Sequence, residues 1–298
     1  MDAPIGLVRA LVPVTVALKV EIPDDHPSVR VLGDERMGSG VLVEPGILLT
    51  VNYVVIGGRS ITATFPDGRT SPAEVLAQDY ESGIAILRIP RRDGAVATVG
   101  DSRRLTRGQP VFILASTGPT ERRVGDGVIT DLSAFDAYWE YMLDSAIQTS
   151  AVNPGLGGGP LFDLRGRLIG ITSLNLGQMG RFSLAIPIHH FAEAREELIR
   201  YGRVRPARRR AWVGIYAEST PAGVMVAGVV PDGPAAQAGM REGDVILAVN
   251  FREAATRPEV YRALWKQPAG SVIRFTILRD SEHQRVEVAS VDRAEFYR

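Results

Sequence analysis

Short apolar alternations dominate the first two-thirds of the chain. Val14, Val16, Leu18 and Val20 alternate with Thr15, Ala17 and Lys19, the period of two expected of a half-buried strand. Residues 39–43 and 46–50 form two further runs, and Glu44-Pro45-Gly46 between them has the turn composition that joins a hairpin. Pro66-Asp67-Gly68 separates another pair, 60–65 and 71–76, and the series continues through 108–113 and 127–130. Many short strands punctuated by Gly, Pro and Asp predict a mostly β module of barrel or sandwich type over residues 1–202.

The period then changes. Phe191, Ala194, Leu198 and Tyr201 recur at helical spacing, predicting a helix over 190–201 that Gly202 ends. A basic, proline-containing stretch, 203–210, follows and reads as a linker: Arg203, Arg205, Arg208, Arg209 and Arg210 are set apart from any apolar pattern. Residues 211–298 form a second, α+β module, with a strand predicted over 223–230 and a helix over 257–266. On that helix Val260 and Leu264 stand one turn apart, on the same face.

Composition narrows the function classes. The chain has 298 residues, 45% of them hydrophobic and 23% charged, enough for about two globular domains. Lys plus Arg and Asp plus Glu are 34 each, so net charge argues against a nucleic-acid partner. With no cysteine there is neither a disulfide framework nor a thiolate metal site. No run reaches the roughly 18 apolar residues of a membrane span, so membrane contact is expected only through an anchor outside this sequence. The first residues, Met1-Asp2-Ala3-Pro4, show no signal-peptide pattern.

Three frames carry the chemistry. They are Thr50-Val51-Asn52-Tyr53-Val54-Val55, Asp79-Tyr80-Glu81-Ser82-Gly83-Ile84-Ala85, and Asn153-Pro154-Gly155-Leu156-Gly157-Gly158-Gly159-Pro160-Leu161. They resemble, in this order, the triad frames of the HtrA/Deg family of trypsin-like serine proteases. That resemblance implies a chymotrypsin-like double β-barrel followed by a PDZ domain, and a periplasmic or envelope location. It also places Tyr53 at the His position, Gly83 at the Asp position and Gly157 at the Ser position. Acyl transfer by such a protease needs a hydroxyl nucleophile, an imidazole base and an orienting carboxylate. A phenol titrating near pH 10 and two glycines supply none of these, so the expectation is a pseudoprotease, not an enzyme. Residual or relocated protease activity is the less favoured alternative. His189 and His190 are weak metal candidates, since imidazole suits several transition ions, giving a metal-binding scaffold as another alternative. No cofactor is expected.

Gly233-Pro234-Ala235-Ala236-Gln237-Ala238-Gly239-Met240-Arg241-Glu242-Gly243-Asp244-Val245-Ile246 is similar to the PDZ segment of the same family. A PDZ domain pairs an extended peptide with a strand edge and captures its terminal carboxylate on backbone N–H groups. By resemblance the capturing loop is Trp212, Val213, Gly214 and Ile215, and the groove helix presents Val260 and Leu264. Phe251 stands where the family commonly has a turn glycine. The expected function is a peptide- and protein-binding scaffold or regulator. Its partners would be chain termini, an active protease paralogue or an envelope complex, with oligomerisation open.

Overall fold

The computed structural model describes residues 4–90, 94–175, 182–202, 209–221 and 223–297. Contacts divide the chain into two units: Met1–Ala134 with Leu143–Arg205, and Phe135–Met142 with Pro206–Arg298. Most of the expected linker, 203–208, lies outside the described residues.

The first unit contains two seven-stranded sheets. In space the first runs Thr70–Pro72, Ser60–Thr64, Thr15–Glu21, Glu35–Glu44, Ile47–Val51, Ile84–Arg88 and Glu74–Gln78. The hairpin expected about Pro45 is present, with Val41 opposite Leu49. The first strand begins at Thr15, one residue later than the alternation suggested. Pro13 lies in a tight helical turn, Val12–Val14, which favours its fixed φ, and Val14 is buried from that turn. The second sheet runs Pro160–Asp163, Pro110–Ser116, Arg122–Asp131, Ile147–Thr149, Ser183–Pro187, Arg167–Asn175 and Thr98–Val99. It closes on itself because Pro160–Asp163 also pairs with Arg167–Asn175. Val111, Ile113, Ile129, Ile147 and Leu161 fill its interior. Helix His189–Tyr201 buries Phe191 and Leu198 and ends at Gly202, whose N–H donates to the Leu198 carbonyl at 2.9 Å.

The second unit is a sheet in the order Ile215–Thr220, Gly223–Val229, Val245–Val249, Val272–Arg279 and Glu282–Ala289, with Arg252–Glu253 beside Val245–Val249. Helix Arg257–Trp265 starts at Thr256, and Glu259 closes a capping box by accepting from the N–H groups of Ala255 and Thr256 at 2.9 and 3.1 Å. Val249 pairs with Arg252 across a two-residue turn, Asn250-Phe251, in which both residues have positive φ, 48° and 65°. The turn closes with phenylalanine at a position that normally calls for glycine. The short strands Phe135–Ala137 and Tyr141–Leu143 pair with each other. Residues 135–142 lie within the first module by chain order, yet they pack with the second unit.

Candidate functional site

The three frames converge within the first unit. Strand Ile47–Val51 leads into a single helical turn, Asn52–Val55, that carries Tyr53. Asn52 fastens this turn to the second frame: its backbone N–H donates to the Gly83 carbonyl at 2.9 Å and its amide to the Asp79 carbonyl at 2.7 Å. Ser82 in turn donates to the Asp79 carboxylate at 2.5 Å. The Tyr53 hydroxyl donates to the Ser173 carbonyl at 2.6 Å. Burial pushes that phenol up to about 12, so it holds its proton and acts as a donor throughout the neutral range.

Gly157 faces Tyr53 directly. A β-carbon built at Gly157 would collide with the Tyr53 hydroxyl oxygen and lie 3.2 Å from the Ser173 carbonyl oxygen. The surrounding loop is fastened to both sheets: Ser39 N–H donates to the Gly157 carbonyl at 2.7 Å, Leu156 N–H to Ser116 at 2.9 Å, and Gly158 N–H to Thr172 at 2.7 Å. Ser39 Oγ adds a bond to the Leu156 carbonyl at 2.9 Å. The phenol thus occupies the space that a side chain at 157 would need, and glycine is the residue that allows it.

The two histidines occupy successive positions at the start of their helix, with ring centroids 4.4 Å apart. His189 Nδ1 is 2.8 Å from Ser102 Oγ, while the buried Nε2 of His190 has no hydrogen-bond partner. Burial lowers the pKa of both below the ordinary imidazole value. Among the described residues no group of three or more His, Cys, Asp or Glu is placed to hold a metal ion.

Residues 212–215, the expected carboxylate loop, are held by both side-chain and backbone contacts. Trp212 packs against Phe296 and Tyr297, at centroid distances of 4.8 and 5.5 Å, and pairs its backbone with Val291. The Val213 carbonyl accepts from Ala235 N–H at 2.8 Å. Gly214 has φ 79°, which turns its N–H in the same direction as that of Ile215. Both N–H groups donate to Oε1 of Glu140, at 2.7 and 2.8 Å. Val260 and Leu264 are wholly buried in the core of this unit. At the start of the same helix the half-buried Arg257 donates to the Asp136 carbonyl at 2.9 Å and pairs with its carboxylate.

Residues 135–142 are the part of the site that sequence reasoning missed. The Tyr138 carbonyl accepts from Ala217 N–H at 2.7 Å. Tyr261 Oη donates to the Ala137 carbonyl at 2.6 Å and accepts from Glu140 N–H at 2.9 Å. Arg293 reaches the Glu140 carbonyl at 3.3 Å. The available signal was Phe135, Tyr138, Trp139 and Tyr141 clustered in a short connection between strands.

Two largely antiparallel sheets with three converging frames, followed by a second sheet-and-helix unit, define a trypsin-like fold joined to a PDZ module. Residues 38–171 match the trypsin-like peptidase domain family and residues 207–289 the PDZ domain family. A probable periplasmic serine endoprotease, DegP-like, from Halomonas elongata is 31% identical over 89% of this chain and 59% of its own length. A protein of the same name from Pseudomonas savastanoi is 30% identical, again over 89% of the chain and 59% of its own length. The chain therefore spans somewhat over half the length of these relatives. Among solved structures, the HtrA-type protease AlgW with decapeptide is 27% identical, with 96% of this chain and 98% of that one covered at a TM-score of 0.57. The serine endoprotease from Yersinia pestis is 28% identical, with 96% of each covered and a TM-score of 0.56. The chain belongs to the HtrA/DegP family of trypsin-like peptidases carrying a PDZ domain.

These comparisons correct one expectation. Tyr53, Gly83 and Gly157 suggested that the chain is not an enzyme, but the relatives are named serine endoproteases and the structural neighbours proteases, so the family points to an enzyme. The expectation was drawn from three side chains, whereas the kinship extends over 89% of the chain. The relatives' periplasmic naming supports the periplasmic or envelope location that the resemblance implied.

Proposed function

We propose that this chain is a peptide-recognising member of its family, acting as a scaffold or regulator through its PDZ unit. The ligand class is a chain end: an extended backbone pairs beside strand Ile215–Thr220 while a terminal carboxylate accepts from Gly214 and Ile215. Candidate sources are the termini of envelope proteins or of an active protease paralogue. The carrying observation is that these two N–H groups already converge on one carboxylate oxygen at 2.7 and 2.8 Å. The peptide-bound structures of the related AlgW protease are consistent with the same ligand class.

The test uses a fluorescent octapeptide with the sequence of residues 133–139 followed by a C-terminal alanine, added to the full chain and followed by anisotropy. The free-acid form binds at least tenfold more tightly than its C-terminal amide. Equal binding of acid and amide, by the full chain and by its Glu140→Gln variant alike, overturns the reading.

A further inference from the structure

The carboxylate held by the loop belongs to this chain. We propose that residues 135–142 are a built-in ligand of the PDZ groove, with the Glu140 side chain standing in for a C-terminal carboxylate, so that an external chain end enters only by displacing it. The proposal rests on the peptide-recognition reading above and adds a self-competitor to it.

The geometry follows the logic of peptide capture residue by residue. Tyr138 lies two residues before Glu140, and Ala217 lies two after Ile215. The bond from Ala217 N–H to the Tyr138 carbonyl, at 2.7 Å, therefore continues the antiparallel spacing set by the bonds to Glu140. A true terminus ends at its carboxylate, but this chain must continue to Tyr141. Glu140 resolves this by adopting φ 53°, rare for a residue with a side chain, which turns the backbone aside while the carboxyl group enters the loop.

The fit is also specific at its flanks. The Tyr138 ring packs beside Tyr216 at 5.6 Å between centroids. Tyr261, from the groove helix, bonds both Ala137 and Glu140, and Arg257 clasps Asp136. Glu140 is only 2% exposed, and its Oε2 is buried without a hydrogen-bond partner. A terminal carboxylate seated in the same place would have both oxygens close to the loop's donors, so the internal ligand leaves one acceptor unused. An imperfectly satisfied, self-supplied carboxylate is suited to being replaced, since an unsatisfied buried polar atom costs free energy.

The experiment compares the full chain with its Glu140→Ala and Glu140→Gln variants, using the same fluorescent octapeptide in free-acid and amide forms. Removing the internal carboxylate leaves the loop vacant, and the free-acid peptide then binds at least tenfold more tightly than to the unaltered chain. Hydrogen exchange on the unaltered chain gives an independent reading: saturating peptide speeds exchange of the Glu140 amide, now bonded to Tyr261, because the segment is expelled. If the unaltered chain discriminates acid from amide but the variants bind no more tightly and Glu140 exchange is unchanged, the internal-ligand proposal is overturned and peptide recognition stands. If neither the unaltered chain nor the variants discriminate acid from amide, peptide recognition itself fails, and the proposal with it.

Discussion

The hydroxyl of Tyr53 fills the space that a side chain on Gly157 would occupy, although Tyr53 sits on the turn after a strand of the first sheet and Gly157 in the loop before a strand of the second. One hydrogen bond, to the Ser173 carbonyl at 2.6 Å, holds the phenol there. The two positions should therefore behave as a pair. Gly157→Ala alone is expected to destabilise the first unit by about 1–3 kcal/mol through overpacking. Tyr53→Phe removes the oxygen that the new methyl group meets first, so the double variant should be more stable than the sum of the two single changes. Urea denaturation of all four proteins checks this; a coupling energy within about 0.5 kcal/mol of zero would mean the residues are independent.

Glu140 carries a pH dependence. Burial pushes its carboxyl up to about 7, against the opposing effects of Ile215 N–H, the Arg293 guanidinium and Gly214 N–H. Tyr216 from the first strand and Tyr261 from the groove helix are coupled to it, and burial raises both phenols further above their ordinary range, so they stay protonated here. The docked carboxyl holds its proton more tightly than a free glutamate, which titrates near 4.3. Docking of residues 135–142 is thus most favourable below about pH 4.5 and weakens as pH rises through about 7. Apparent affinity for the free-acid octapeptide should rise between pH 5.5 and 8.5, and Glu140→Gln should flatten that rise. The same slope in both proteins would assign the pH effect elsewhere.

Phe251 is a removable strain. It is 70% exposed with φ 65°, in a two-residue hairpin turn, and the Arg274 guanidinium lies over it, 5.9 Å from its ring centre. A left-handed conformation costs a side-chain-bearing residue roughly 1–2 kcal/mol, and an exposed cation–π contact returns about 0.5–1. Phe251→Gly should leave stability unchanged or raise it by up to about 1 kcal/mol, despite deleting a large apolar side chain. A loss above about 1 kcal/mol in thermal or urea unfolding would show that the ring does more than the turn geometry indicates.

Asp244 is the opposite case. Its side chain is 1% exposed, both oxygens accept from Arg279 at 2.6 and 2.7 Å, and Oδ2 also accepts from Arg241 N–H at 3.0 Å. Asp244→Ala removes the acceptor of Arg241 N–H and both carboxylate contacts of Arg279, which is partly exposed and keeps its bond to the Gly239 carbonyl, so a loss of about 1–3 kcal/mol in the stability of the second unit is expected. Urea unfolding followed by tryptophan fluorescence reports it, because Trp212 and Trp265 both lie in this unit.

The sequence by itself determined the elements and the family. Alternation at Val16, Leu18 and Val20, turns at Pro45 and Gly68, and a glycine after Tyr201 are local signals, because strand period and helix capping depend on neighbours in the chain. The order of the three frames and the Gly233–Ile246 segment placed the fold within HtrA/DegP, and the same likeness nominated 212–215 as the carboxylate loop. The tertiary structure decided what fills the two sites. Tyr53 and Gly157 are 104 positions apart, and Glu140 and Gly214 are 74 apart; nothing local in either segment shows that a phenol takes up a missing side chain's space or that a glutamate supplies a terminus. Val260 and Leu264 show the converse limit: helical spacing put them on one face, but whether that face meets a groove or a core depends on what packs against it, and here it is the core.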